Sequence, residues 1–424
     1  MATITAPRPS VSGTKAGRMT SERPMYRNPG IDDAKEAVKR PELIELSDYT
    51  APTMPTEQAF RATWARLKRR MSAPEDPFLP HSVLDRASLA QINDLAGPPD
   101  AGELLLALDE QLGEWSSNAG DYPKLRTLVV PPCDTSGTLA IWAQTRGHAL
   151  LPEPKRSELT ALAAKAWRPD LSGDGLLVIP RLEHWFLRER NGLHAVRALL
   201  SQLASTERRC LVGCDSWAWR FIVKAAQADL ALPHPHTFEP FDARRLRDWF
   251  ATLARDSDGI TATFRLAGNG DDVLACDSNG EPHNAHLRQL AAHSGGIPWV
   301  AWHLWRASLK VSAGEVPLSD RAAGATANDA RTVWIVGTDE VALPRSNEDR
   351  ALLVLQALLI HGGLTPTELA LVLPTTGEPD MLAALVSTGH LQSEPRTHRH
   401  RISPMAYPTI RKALKAAGFP TGAI

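Results

Sequence analysis

Cysteine is scarce in this chain: four residues in 424, at Cys133, Cys210, Cys214 and Cys276. A disulfide framework or a zinc site needs clustered, paired ligands. Cys210 and Cys214 stand close together, but in an apolar run with no second pair. The expectation is reduced, buried thiols in a cytoplasmic protein. An excess of one charge is also lacking. Lys and Arg number 47 against 48 Asp and Glu, a net charge of −1, so no global field draws the chain onto nucleic acid or anionic lipid. Any such contact must come from a local patch. No apolar run approaches the ~18 residues of a membrane span, and MATITAPRPS at the start has no apolar centre of a secretory signal. No internal repeat stands out at solenoid periods. What is present is 43% hydrophobic residues, enough for real cores and too many for a wholly disordered chain. The length points to two or three domains.

Composition divides the chain. Residues 1–55 are rich in Pro, Ser, Thr and charge, and read as a disordered N-terminal segment. Residues 56–120 read as helices. The first, AFRATWARLKRR, sets Phe60, Trp64 and Leu67 on one face and basic residues on the other. Two more follow at 82–95 and 99–114, punctuated by Pro98-Pro99-Asp100-Ala101-Gly102. Residues 121–240 change character. Short apolar runs LRTLVV, GLLVI and CLVGC alternate with helical segments, including one marked by Val196, Leu199, Leu200 and Leu203. That alternation predicts an α/β core around a buried parallel sheet.

Residues 241–320 read as a helical lid with a β-hairpin insertion. ITATFRL and VLACD alternate at period two on either side of a Gly/Asn turn. The helices NAHLRQLAAHS and PWVAWHLWRASL then hinge at Gly295-Gly296. Trp299, Trp302 and Trp305 in the second predict a core or an interface. Residues 318–330 read as a small-residue loop. Residues 345–424 run helix (351–361), helix (365–373), helix (379–388), a two-stranded wing in LQSEPRTHRHRIS and a last helix (407–417). This is the order of a winged helix.

LRTLVVPPCDTSGTLAIWA has the strand, small-residue loop and helix of a phosphate-binding P-loop, whose backbone N–H groups and helix N-terminus surround phosphate. Against G-x-x-x-x-G-K-[ST] only Gly137 matches. Thr138 stands at the lysine position, Leu139 at the metal-hydroxyl position, and Asp134 puts a negative charge where phosphate would sit. GLLVIPRLEHW resembles a Walker B strand with Pro180 at the aspartate position and Glu183 nearby. CLVGCDSW resembles a sensor strand with Asp215 or Ser216 in the polar position. HSGGIPWVAWHLWRASL is similar to the lid helix of STAND NTPases and of archaeal origin-recognition initiators.

The stretch 120–420 thus resembles AAA+ and STAND-type P-loop NTPases. The resemblance implies an α/β, P-loop NTPase-like parallel sheet core with a helical lid and a C-terminal winged helix. Its catalytic motifs are degenerate. Phosphoryl transfer rests on positioning and charge neutralisation, and the lysine, metal hydroxyl and metal carboxylate are all missing.

No catalytic residue, metal site or obligate cofactor is therefore expected. ATP or ADP, held by backbone amides near Gly137, is the alternative. If nucleotide binds, Asp134, Ser136, Gly137, Thr138 and Glu183 are the residues to hold it. The competing reading makes Asp134, Ser136 and Thr138 a helix cap and Glu183 a solvated helix residue. The expected function is a non-catalytic regulatory or scaffold protein that works through contacts with other proteins, with oligomerisation open. Two alternatives are a winged-helix DNA-binding regulator and a divergent active ATPase. For the first, Arg396, Arg399, Arg401, Arg411 and Lys412 would meet phosphate or a protein partner. The third helix, PDMLAALVSTGH, has none of the Arg, Lys, Asn or Gln that base-edge readout needs, so DNA contact would not be sequence-specific.

Overall fold

The computed structural model describes residues 41–54, 84–86, 93, 102–117, 122–134, 136–162, 167–253, 262–278, 280–312, 332–337, 343, 348–374, 379–422 and 424. All of them lie in one unit, Lys39–Ile424. The basic segment 60–70 and the loop 318–330 fall outside the described residues.

The elements run in chain order as follows. β1 (Leu43–Glu45) and β2 (Leu84–Arg86) precede helix α1 (Gly102–Ser116), β3 (Leu125–Val130), α2 (Thr138–Thr145), β4 (Ala149–Leu150) and β5 (Leu177–Ile179). Next come α3 (His194–Leu203), β6 (Cys210–Asp215), α4 (Ser216–Ala226), β7 (His236–Phe238) and α5 (Ala243–Leu253). β8 (Thr263–Leu266), α6 (His286–Ser294), α7 (Pro298–Ser308), β9 (Leu309–Ser312) and β10 (Thr332–Ile335) follow. The C-terminal part is α8 (Glu348–Ile360), α9 (Pro366–Val372), α10 (Pro379–Ser387), the hairpin β11 (Leu391–Glu394) and β12 (Arg399–Ile402), and α11 (Tyr407–Ala416).

The fold is α/β. A six-stranded sheet has the order β1-β7-β3-β6-β5-β4. β3, β4, β5, β6 and β7 are parallel, and β1 closes one edge antiparallel to β7. The apolar runs explain this placement: strands covered on both faces by helices show no polar alternation. Successive residues divide between two cores. Leu128, Val130, Val178 and Leu211 join Leu139 and Trp142 of α2 on one side. Val129, Ile179 and Val212 join Val196, Leu199 and Leu203 of α3 on the other. Gly213 is needed where β6 passes the start of α2, since a Cβ there would collide with the Pro180 carbonyl and the Leu139 side chain.

The tryptophan stripe is core. Trp299, Trp302 and Trp305 are all buried, and Trp305 stacks on Phe250 with ring centroids 4.6 Å apart. The indole of Trp299 donates to the Pro132 carbonyl in the loop after β3, tying α7 to that loop. α8 is buried on nearly every side, from Ala351 to Ile360, as a helix apolar all round must be.

Three expectations need correction. Leu84–Arg86 is a strand paired with β9, not helix. Leu43–Glu45, inside the stretch read as disordered, is the edge strand β1. ITATFRL and VLACD do not form a regular hairpin. Among the described residues an isolated antiparallel bridge, Arg265 to Asp272, with the Val273 N–H donating to the Phe264 carbonyl, joins their near ends, and β8 pairs in parallel with β10 in a second sheet, β2-β9-β10-β8. Alternation identifies a strand but not its partner, and a distant strand took the edge. No helix among the described residues is long and apolar enough to cross a membrane, and the four cysteines are free.

Candidate functional site

β3 stops at Pro131-Pro132, which cannot donate to a ladder. Cys133 follows with φ +69° and Gly137 with φ +71°. Two left-handed residues turn the chain back on itself, a conformation that glycine adopts freely and cysteine rarely. The Asp134 carboxylate comes to lie over the start of α2. Its Oδ1 accepts from the backbone N–H of Ser136 at 3.0 Å and of Gly137 at 3.1 Å, and from the Ser136 hydroxyl at 2.6 Å. Its Oδ2 accepts from the Thr138 N–H at 3.1 Å. These donors are the ones a helix start leaves open, and the ones a phosphate would take. Here a carboxylate of the same chain occupies them, favoured by the helix dipole. The helix starts at Gly137, which makes no side-chain cap bond of its own, and Asp134, three residues earlier, takes the N–H groups of Gly137 and Thr138 at its start. Thr138 is buried, and Leu139 is core.

Asp134→Ala should cost about 1–2 kcal/mol of stability, as for loss of a strong helix cap. Urea unfolding of the variant checks this, and an unchanged midpoint would mean that the loop does not depend on the carboxylate.

The opposite wall follows β5. Glu183 lies in a 3-10 turn, Leu182–His184, and is 4% exposed, not a solvated helix residue. Its Oε2 accepts from the Asp215 N–H at 3.1 Å. Arg181 bridges the two walls. It donates to the Asp134 carbonyl at 2.9 Å and sits 4.0 Å from Glu183. Burial, with Glu183 close by, raises the Asp215 carboxyl well above the usual range, so its protonated form is favoured. Burial likewise raises the Cys133 and Cys214 thiols, which disfavours the nucleophilic thiolate.

The C-terminal part forms the roof. Leu358, Leu359, Gly362, Arg401 and Ile402 close over Asp134, Gly137, Glu183 and Asp215, and leave a cavity of about 60 Å³. That is room for a few waters, against roughly 300–1,000 Å³ for drug-sized ligands. Two buried residues hold this roof down. The Arg156 guanidinium donates to the carbonyls of Gly363 at 2.6 Å, Glu183 at 3.0 Å and His361. His361 takes the Arg188 N–H on Nε2 at 3.0 Å and pairs Nδ1 with the Ala357 carbonyl at 2.7 Å. This pattern fixes a neutral ring with the proton on Nδ1. Arg156 reads from the sequence as one cation in the polar run EPKRSE, and nothing local marks its burial.

The basic residues of the hairpin and last helix divide. Arg399 donates to the Gly363 carbonyl and to both Glu368 carboxylate oxygens. Arg401 lines the small cavity and lies 3.9 Å from Glu394. Arg411 donates to the Gly422 carbonyl. Arg396 and Lys412 are exposed. Of the residues singled out in the sequence, Asp134, Gly137, Glu183 and Arg401 line this cleft, whereas Ser136 is exposed, Thr138 is buried beside it, and Arg396 and Lys412 are exposed elsewhere.

No protein-family model matches the chain, and no curated protein does. Among the solved structures with low-level similarity are three from archaea and a bacterium. The Orc1 protein of Aeropyrum pernix, solved in complex with DNA, is 17% identical over 78% of this chain and 95% of that one, with a TM-score of 0.31. Cdc6p from Pyrobaculum aerophilum is 13% identical over 79% and 99%, with a TM-score of 0.26. The RuvB Holliday junction branch migration motor of Thermotoga maritima is 14% identical over 76% and 98%, with a TM-score of 0.30.

Proposed function

We propose that this chain is an AAA+/STAND-like protein whose P-loop is closed by its own carboxylate, and that it works as a non-hydrolysing regulatory or scaffold module through protein contacts. The observation that carries this reading is the Asp134 carboxylate on the N–H groups of Ser136, Gly137 and Thr138. A γ-phosphate would have to displace a tethered anion with nearly the same hydrogen-bonding pattern. It would then meet Thr138 in place of a lysine and the core residue Leu139 in place of a metal hydroxyl.

The C-terminal part is a winged helix in this reading, with β11 and β12 as the wing. Its packing over the cleft favours a fixed arrangement of core and wing rather than a nucleotide-driven cycle. Protein contact is preferred to DNA contact because Arg399, Arg401 and Arg411 are engaged within the chain, and α10 carries no base-reading side chain.

The test is turnover. The full chain incubated with Mg²⁺ and ATP should release no phosphate above a protein-free control. Release that disappears in Glu183→Gln would overturn the proposal and favour a divergent ATPase.

A further inference from the structure

After α11 the chain turns at Gly418, with φ +79°, and runs back toward the sheet. Two apolar side chains anchor it. Phe419 packs, partly buried, on the main hydrophobic core, and its N–H donates to the Leu414 carbonyl at 2.9 Å. Ile424 is 4% exposed and reaches a slot on α4 that Trp219, Val223, Leu46 and Val129 also line. Between these anchors Gly422 passes close to two helices. Its carbonyl accepts from Arg411 Nη2 of α11 at 2.7 Å, and a Cβ on it would come within 3.1 Å of the Arg220 side chain of α4. The segment 418–424 therefore ties α11 to α4.

Those two helices carry the roof of the cleft. α8 packs against both of them, and Leu358, Leu359 and Gly362 at its end close over Asp134 and Glu183. Trp217, in the first turn of α4, donates its indole N–H to the Tyr407 hydroxyl at the start of α11, at 3.1 Å in the interior. The roof is thus fastened on two sides, by Arg156 at the Gly363 carbonyl and by the segment 418–424 at α4.

The two fastenings differ in packing. Arg156 is buried and donates to three carbonyls. Ile424 instead sits beside a cavity of about 330 Å³, whereas a close-packed interior leaves few voids larger than a water molecule. The walls facing that space lose dispersion contacts that would hold the anchor. Gly418 and Pro420 are exposed, and Thr421 and Gly422 are half-buried. Segments with few buried contacts open at a lower free energy than the core. We infer that the segment 418–424 is a releasable strap. Seated, it holds the C-terminal part shut over the Asp134 cleft. Released, it frees α11 and the roof to lift while the sheet stays folded. The inference rests on these contacts and not on what the loop binds.

Amide hydrogen exchange of the full chain, read peptide by peptide, tests this. Ile424→Asp puts a charge into the apolar slot. It should speed exchange at least roughly tenfold in α11 and at 358–364, and leave β3, β5 and β6 at the original rates. Ile424→Leu should change nothing, because an apolar side chain of the same size still fills the slot. Gly422→Leu crowds Arg220 without adding a charge. It should act as Ile424→Asp does, and it stands in where that variant does not fold. Faster exchange confined to 418–424 would overturn the inference, since the segment would then fray without moving the roof. So would a uniform rise across all the strands, which would make Ile424 an ordinary core residue, and so would unchanged exchange in both variants.

Discussion

Replacing Arg156 with methionine should remove about 3–5 kcal/mol of stability, the cost of breaking a buried charged contact from one side. The guanidinium is 7% exposed and donates to three backbone carbonyls from two parts of the chain, Glu183 on one hand and His361 and Gly363 on the other. Glu368 lies 3.8 Å away. Methionine fills similar space but satisfies none of these groups. His361 and Gly363 follow directly on the end of α8, where a cation also meets the negative end of the helix dipole. Lysine should not rescue the variant, because one ammonium on a flexible stem cannot reproduce the planar fork. The readout is the urea midpoint of the wild type against Arg156→Met and Arg156→Lys. A loss below about 1 kcal/mol, the range of surface pairs, would mean that the C-terminal part does not depend on this contact.

The second large effect is acid sensitivity. Burial, with Arg156, Arg188 and Arg399 nearby, pushes the pKa of His361 down to about 3. Burial alone pushes that of His286 down to about 4. In the unfolded chain both return to about 6.5. Between those values the unfolded state holds a proton that the folded state refuses, so stability falls as pH falls. The contribution is complete above about pH 6.5 and is lost progressively toward pH 3–4. Each histidine gives a slope of about 1.4 kcal/mol per pH unit in that window. Asp215 has the opposite sign. Its raised pKa means the folded state holds a proton the unfolded state has released, which offsets part of the slope. The net expectation is a urea midpoint that drops between pH 6.5 and 4.5, with a shallower drop in His361→Gln. A midpoint that stays flat or rises toward acid would contradict the neutral, hydrogen-bonded His361.

The legible parts of this fold were those whose signal is local. LRTLVV and CLVGC are covered on both faces over most of their length, so large apolar residues dominate them, broken in the first only by Arg126 and Thr127, and they mark parallel strands. The helices of the C-terminal part are marked off by the breaks at Gly362-Gly363, Pro374 and Gly389, and Thr365 with Glu368 forms the capping box that starts α9. What was not legible depended on distant partners. TVWI joins β8, far back in the chain, and nothing in either segment names the other. Glu183 looked solvated because its surroundings come from distant parts of the chain, the Asp215 N–H at the end of β6 and Gly362 after α8. At the loop, the sequence showed that Asp134 replaced the usual chemistry. It did not show that the Cys133 backbone would swing that carboxylate onto three amides at once.

The central claim is that this carboxylate occupies the place of a phosphate. Thermal unfolding of the purified chain with and without millimolar ATP·Mg²⁺ or ADP tests it most directly, because a ligand at one hundred times its Kd adds about 2.7 kcal/mol to the folded state. The account predicts coincident unfolding curves with and without nucleotide. A clear upward shift with either nucleotide would contradict it, since phosphate would then have displaced Asp134 from the N–H groups of Ser136, Gly137 and Thr138.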